Sequence, residues 1–382
     1  MTLEVTPHLL QAPPSTASPA ERRFRSLIDL VRGHRKPLIL LQHNPDPDAL
    51  ASGHALKYML KRVLRLDPVV AFTGSVGRAE NRAMMRHLKI QIIPSFKVNY
   101  RHHDLVIVVD THPGAGTCRL PEGVMADVVV DHHPTNGASK TDRPQLDLSD
   151  SGYGATSTLV GEMLLANGLA IPERMATALC YGIQTDTADL ARNVSPADEH
   201  VFAILYALAD KKLLGRIQRA RVPQEYFVAL ERGLRRARLY DIAVTTHLGV
   251  IEHPDLVAEV ADLLFRLEGT HWSFVTGAHA RVLYASLRAL EADGVDAGEV
   301  ALLVAGPKGS GGGHESMAAA QIPIPAGEEP DAVHAAALER FLVAVRAKKS
   351  LGRPLTLPPD EAGTAGASSS PRTSHPPSRR DS

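Results

Sequence analysis

Aromatic side chains are scarce in this 382-residue chain, at 4% of positions. That scarcity excludes broad stacking platforms for single-stranded nucleic acid. Cysteine is scarcer still. Cys118 and Cys180 stand alone, in no CxxC spacing, so neither a zinc site nor a redox motif is supported and two reduced thiols are expected. An excess of one charge is also missing: 42 basic and 42 acidic side chains give a formal net charge of zero. Bulk electrostatic capture of long DNA or RNA is therefore disfavoured, although a local basic groove is not. There is no apolar run of about 18 residues, so no membrane-spanning helix is expected. The N-terminus is rich in Pro, Ser, Thr and Ala and carries no apolar signal core, which makes the cytoplasm the expected compartment.

What is present is an ordinary globular balance, 44% hydrophobic and 22% charged, on a chain long enough for two domains. Residues 1–20 read as a disordered arm and residues 358–382 as a Ser/Pro/Arg-rich disordered tail. Between them, apolar runs alternate with helical patterns. PLILLQ (37–42), DPVVAF, QIIP, DLVIVVD (104–110) and ADVVVDHH (126–133) suit strands, and the valine-rich pair suits a parallel sheet buried on both faces. Helical patterns cover 49–64, 155–166, 173–184 and 197–209. The expected architecture is α/β, with a mostly parallel sheet sandwiched by helices over residues 21–210. A charged helical connector broken by Pro223 covers 211–240, and a smaller α/β domain covers 241–348.

Polar residues gather where the apolar runs end. QHNPDPDALAS supplies His43, Asp46 and Asp48; VIVVDTHP supplies Asp110; VVVDHHP supplies Asp131, His132 and His133; GIQTDTADL supplies Asp186. In an open α/β sheet the strand ends share one crevice, so separated clusters can meet there. An aspartate after a strand is commonly a turn residue or helix cap, and NPDPD or Asp110 alone would say little. The joint set says more. Several carboxylates aimed at one point repel each other unless cations are present, and carboxylate with imidazole suits Mn2+ or a similar borderline metal. Two such metals bridged by a carboxylate form a clamp for phosphoryl chemistry.

The ordered set NPDPDALAS, VVDTHP, VVDHHP and GIQTDT resembles the DHH phosphoesterases over roughly residues 25–348. That family includes RecJ exonucleases, family-II inorganic pyrophosphatases, cyclic-di-AMP phosphodiesterases and oligoribonuclease/pAp phosphatases. The resemblance implies two Mn2+ ions per chain, with Mg2+ or Co2+ as alternatives. Asp46 would ligate the first and Asp48 the second, Asp110 would bridge them, and His132 and Asp186 would complete the second site. His133 would face the substrate phosphate or donate a proton, and Asp131 would orient an imidazole. One position departs. Many relatives carry a histidine where this chain has Gln42, so His43, the Gln42 amide oxygen or a water would take its place at the first metal. Adjacent strand residues point to opposite faces, so Gln42 and His43 would not both aim at the metal if the strand continues.

Further on, GPKGSGGGHESMAAAQIP holds Gly311, Gly312, Gly313 and His314. Consecutive glycines let a backbone approach a ligand closely, yet alone such a stretch is more often a flexible loop, and it lacks the Gly-Lys-Ser/Thr of a P-loop. It resembles the GGGH signature of the DHH-associated domain, which implies substrate binding in a cleft between the two domains. By the same resemblance, Arg288 in YASLRA would be a phosphate-binding fork. The function expected is hydrolysis of short oligoribonucleotides or pAp-type nucleotides, by a chain without membrane attachment and with a homodimer as an open alternative. A soluble cyclic- or linear-dinucleotide phosphodiesterase is the second reading. A nucleotide- or RNA-binding protein with a degenerate metal site is the third.

Overall fold

The computed structural model describes residues 17–113, 118, 120–134, 143–290, 294–313, 315–347 and 352–356. The chain divides into two compact units, Met1–Val222 and Pro223–Ser382. The helical stretch expected as a connector is cut at that proline. Helix α7 (Lys211–Gln218) lies in the first unit and α8 (Gln224–Arg236) in the second.

Among the described residues, the first element of this unit is α1 (Pro19–Val31), a helix that starts inside the span expected to be an arm. Ser18 caps it, accepting from Glu21 N at 3.2 Å while Glu21 Oε2 accepts from Ser18 N at 2.7 Å, a reciprocal capping box. Phe24, Leu27, Ile28 and Val31 then recur at helical spacing and are buried. Full burial of each contributes about 1.5–3 kcal/mol.

Six parallel strands follow: β1 (Pro37–His43), β2 (Val69–Thr73), β3 (Ile93–Pro94), β4 (Leu105–Val109), β5 (Val128–Val130) and β6 (Leu146–Asp147). Every residue of β4 and β5 is buried, as continuous valine-rich runs require. One face, through Ile39, Leu41, Ile107, Val109 and Val130, packs with α1, α2 (Pro47–Leu64), α4 (Thr156–Ala166) and α5 (Glu173–Asp186). The other, through Leu38, Leu40, Val106, Val108 and Val129, meets Val98, Tyr100, Leu120 and Val124. Helices α3 (Ala79–Leu88) and α6 (Pro196–Leu208) complete the unit.

The strand order is β3-β2-β1-β4-β5-β6. The winding reverses between β1 and β4, and at such a switch point the crevice opens beyond the strands' carboxyl ends. His43 closes β1, and Asp110 and Asp131 immediately follow β4 and β5.

The second unit is a seven-stranded mixed sheet, order β11-β12-β10-β9-β8-β7-β13. Its strands are β7 (Arg238–Tyr240), β8 (Ala243–Val250), β9 (Trp272–His279), β10 (Val282–Ala289), β11 (Ser310–Gly313), β12 (Met317–Pro323) and β13 (Arg353–Pro354). Among the described residues of this unit, only β8 and β9 pair in parallel. Ala280 and Arg281, both at positive φ, turn β9 tightly into β10. Helices α10 (Ala297–Ala305) and α11 (Pro330–Ala344) cover one apolar face, through Trp272, Phe274 and Leu287. Helices α8 and α9 (Asp255–Leu264) share the other core, with Val244, Leu248 and Val275.

The glycine run expected as a loop is edge strand β11. Its alternation explains the composition. A Cβ on Gly311 would lie 2.4 Å from the Ala301 carbonyl oxygen of α10, and one on Gly313 would lie 2.3 Å from the Met317 oxygen. A Cβ on Gly312 would meet nothing within 4 Å.

Candidate metal centre

The turn after β1 begins the site. Relative to β2, the register of β1 slips between Leu40 and His43, and the two polar side chains there diverge. Gln42 Nε2 donates to Asp110 Oδ2 at 2.8 Å, whereas His43 Nδ1 lies 3.1 Å from Thr73 Oγ1. Asn44, at φ 58°, turns the chain, and its Oδ1 accepts from Ser75 N at 2.8 Å. Asparagine tolerates this left-handed conformation better than most residues.

Asp46 caps α2, accepting from Ala49 N at 3.0 Å. Asp48, in the first turn of α2, is fully buried and seated on the start of another helix. Its Oδ2 accepts from Thr156 N and its Oδ1 from Ser157 N, each at 2.7 Å. Both carboxylates thus sit at positive helix ends, where they are stabilised. Asp186 is the opposite case. It is the last residue of α5, at the negative helix end, a position that favours a cation beside it.

Asp110 follows β4 at φ 61°, a strained conformation of the kind that gathers at functional sites. Its Oδ1 accepts from Thr156 Oγ1 at 2.8 Å, and it is almost wholly buried. Beyond β5, Asp131 Oδ1 accepts from the backbone of His132 (2.9 Å) and of His133 (3.2 Å) and from His133 Nδ1 (2.7 Å). That carboxylate fixes the orientation of the His133 ring. His132 Nδ1 donates to the Tyr153 carbonyl at 3.3 Å. Its Nε2 lies 2.9 Å from Asp186 Oδ2 and 3.7 Å from Asp110 Oδ1. Buried and facing Asp186, this Nε2 is an ion-pair partner when the ring is protonated and an open lone pair when it is not.

The electrostatics follow from this crowding. Burial, then the neighbouring carboxylates, raises the pKa of Asp46, Asp48 and Asp110; Asp110 stands well above the usual range, facing Asp48, Asp46, Asp186 and Asp131. Burial lowers the His132 pKa, but Asp186, Asp48 and Asp131 outweigh it and push it up to about 9.

Two sets of donor atoms meet the spacing of a metal site: Asp110, His132 and His133, and Asp48, His132 and Asp186, each within 4.8 Å. The residues fit a divalent cation. Oxygen and imidazole donors converge, and an imidazole nitrogen is held toward them by a bond on its other side.

Of the residues singled out in the sequence, Asp48, Asp110, His132, His133 and Asp186 supply these two sets, Asp46 adds its charge beside Asp110, and Asp131 orients His133. His43 belongs to neither set, and Gln42 occupies the place beside Asp110. In the second unit, Arg288 is buried. Its Nε donates to Asp262 Oδ1 at 2.5 Å and its Nη1 to Ser286 Oγ and Leu287 O at 2.8 and 2.9 Å. His314 lies outside the described residues. Sequence reasoning missed Thr156, Ser157 and the Tyr153 carbonyl. Hydroxyl residues opening a helical pattern were a weak signal, and a backbone carbonyl gives none.

The comparisons accord with this geometry. The profile described as the DHH family, N-terminal domain, matches residues 36–183, and the DHHA1 domain profile matches residues 241–345. An uncharacterized protein of Methanocaldococcus jannaschii is 31% identical over 308 residues, 80% of this chain and 62% of that protein. A probable manganese-dependent inorganic pyrophosphatase of Streptococcus pyogenes is 26% identical over 171 residues, 44% of this chain and 53% of that protein. The matches thus span somewhat over half the length of these relatives. Among solved structures, an exopolyphosphatase-related protein from Bacteroides fragilis superposes with a TM-score of 0.65 at 14% identity, covering 87% of this chain and 100% of its own. Among the described residues, no helix is long and apolar enough to cross a membrane.

Proposed function

The chain belongs to the DHH family of phosphoesterases, and from that premise we propose that it hydrolyses phosphate esters of short oligoribonucleotides or pAp-type nucleotides at the carboxylate–imidazole cluster of its first unit. The observation that carries the reading is His132. Its Nε2 is buried among carboxylates, 2.9 Å from Asp186 Oδ2 and 3.7 Å from Asp110 Oδ1, while Nδ1 is turned away to the Tyr153 carbonyl. Once deprotonated, that nitrogen joins the carboxylates around it as a further donor, the convergence a divalent metal takes.

In this reading Asp46, Asp48, Asp110, His132 and Asp186 would hold two divalent cations, Mn2+ first and Mg2+ or Co2+ as substitutes. Bound there, such ions would lower the pKa of a water and offset charge on the phosphate. Gln42, not His43, stands beside Asp110 and holds its Oδ2. Water adds to phosphorus, the ester P–O bond breaks, and His133, oriented by Asp131, passes a proton to the leaving oxygen. In the second unit, packing accounts for Gly311 and Gly313 but not for Gly312. That position supports the backbone of β11 as a surface a substrate can approach closely. The likeness to a manganese-dependent pyrophosphatase supports the choice of Mn2+.

The test is hydrolysis by the purified chain with Mn2+ of RNA of two to five nucleotides, pAp, pApA, cyclic-di-AMP and pyrophosphate. Turnover of short RNA or pAp is expected. Turnover of the dinucleotides alone would favour the phosphodiesterase reading. Binding without turnover of any of them would refute the enzyme.

A further inference from the structure

Both metal-facing devices of the first unit depend on one short stretch, residues 153–157. The Tyr153 carbonyl holds His132 Nδ1, and the Thr156 and Ser157 N–H groups hold Asp48. Thr156 Oγ1 also holds Asp110. What holds the stretch itself is Asp198, in the first turn of α6 and fully buried. Asp198 Oδ2 accepts from Gly154 N at 2.8 Å, Ser195 N at 2.8 Å and Ser195 Oγ at 2.6 Å, and Oδ1 accepts from Thr158 Oγ1. Gly154 makes the approach sterically feasible. A Cβ there would lie 2.5 Å from the Asn193 carbonyl oxygen and 3.0 Å from Asp198 Oδ2. From the opposite side, Arg23 of α1 donates to the Tyr153 hydroxyl at 2.8 Å and pairs with Asp150. Asp198 and Arg23 both fall outside the matched segment 36–183.

We infer that Asp198 is a positioning residue for the metal centre, acting through the Gly154 backbone to set the direction of His132 Nε2 and the seat of Asp48. The chemistry of the group fits that task. A carboxylate only accepts, and here four donors converge on its two oxygens. Partners that orient metal ligands typically govern affinity by about 10–100-fold.

The inference rests on reading the cluster as a divalent-metal site, so the test measures Mn2+ binding rather than turnover. The Mn2+ dissociation constant of the full chain is measured by electron paramagnetic resonance, below the melting temperature of each variant. Asp198→Ala is expected to weaken binding about 10–100-fold. Asp198→Asn is expected to stay within about threefold, because its amide oxygen replaces Oδ2 and its NH2 group donates to a Thr158 hydroxyl that can turn to accept. Asp198→Ala with a lower melting temperature but unchanged Mn2+ affinity would overturn the inference and leave a purely structural residue. If Asp198→Ala does not fold, Thr158→Val carries the test. It should weaken Mn2+ binding with Thr158→Ser restoring it, and no change would likewise overturn the inference. A wild-type chain that binds no Mn2+ would instead sink the metal-site reading itself.

Discussion

Replacing Asp110 by asparagine should move stability and metal binding in opposite directions. Without cations, Asp110 is buried against Asp48, Asp46, Asp186 and Asp131, and its pKa is raised well above the ordinary value. The sign follows. A carboxyl with a raised folded-state pKa destabilises the fold once the pH exceeds its unfolded value, because unfolding releases a proton. Two carboxylates about 5 Å apart cost about 3 kcal/mol at an effective dielectric near 20, and proton uptake and His132 remove part of that. Asparagine keeps the shape. Gln42 can turn its amide so that its oxygen accepts from the new NH2 group, while Thr156 goes on donating to the remaining oxygen, so both hydrogen bonds to position 110 are preserved. Asparagine also suits the φ of 61°. The metal-free protein should therefore gain about 1–2 kcal/mol, which for a unit of this size raises the melting temperature by about 2–8 °C. Mn2+ affinity should fall by at least about 100-fold, since losing an outer partner alone costs 10–100-fold, and hydrolysis should be lost. Thermal melts in EDTA and in Mn2+ read both effects. A lower metal-free melting temperature with an unchanged Mn2+-induced rise would refute the electrostatic reasoning.

Three other outcomes are expected. Because His132 is held protonated up to about pH 9 in the metal-free fold, loading must expel that proton. Mn2+ affinity should then rise about tenfold per pH unit from pH 6.5 to 8.5 and level off above 9, and a flat profile by calorimetry would contradict it. Gln42→His should raise Mn2+ affinity or turnover, whereas His43→Ala, which removes a ring set beside Thr73 at 3.1 Å rather than in either donor set, should leave both within about twofold as steady-state kinetics would show. Gly311→Ala should destabilise the second unit by about 1–3 kcal/mol by forcing β11 off α10. Gly312→Ala should leave the melting temperature unchanged and raise KM for the nucleotide substrate.

Much of the fold was legible because the chain states it twice, in apolar periodicity and in the polar residues that end each run. β4 and β5 are unbroken valine-rich stretches, and Asp110 and Asp131 stand immediately after them. The choice between Gln42 and His43 was not legible. Strand parity says that only one can face a given side, but the register slip after Leu40 decides which. The glycine run read as a loop because glycine composition gives no strand signal. It is a strand because α10 lies so close that alternate positions admit no Cβ. Helix α1 hid behind a Pro/Ser/Thr-rich arm, although Ser18 and Glu21 form a capping box and Phe24, Leu27, Ile28 and Val31 share a face. Asp198 and Tyr153 were out of reach, since both act through backbone groups that no residue pattern announces.

The most direct test of the account is the number and coupling of Mn2+ ions bound per chain, by equilibrium titration followed through electron paramagnetic resonance. Two ions with the exchange-broadened spectrum of a carboxylate-bridged pair, lost in Asp110→Asn, are predicted. A chain that binds no Mn2+, or binds one isolated ion unaffected by that substitution, would contradict it.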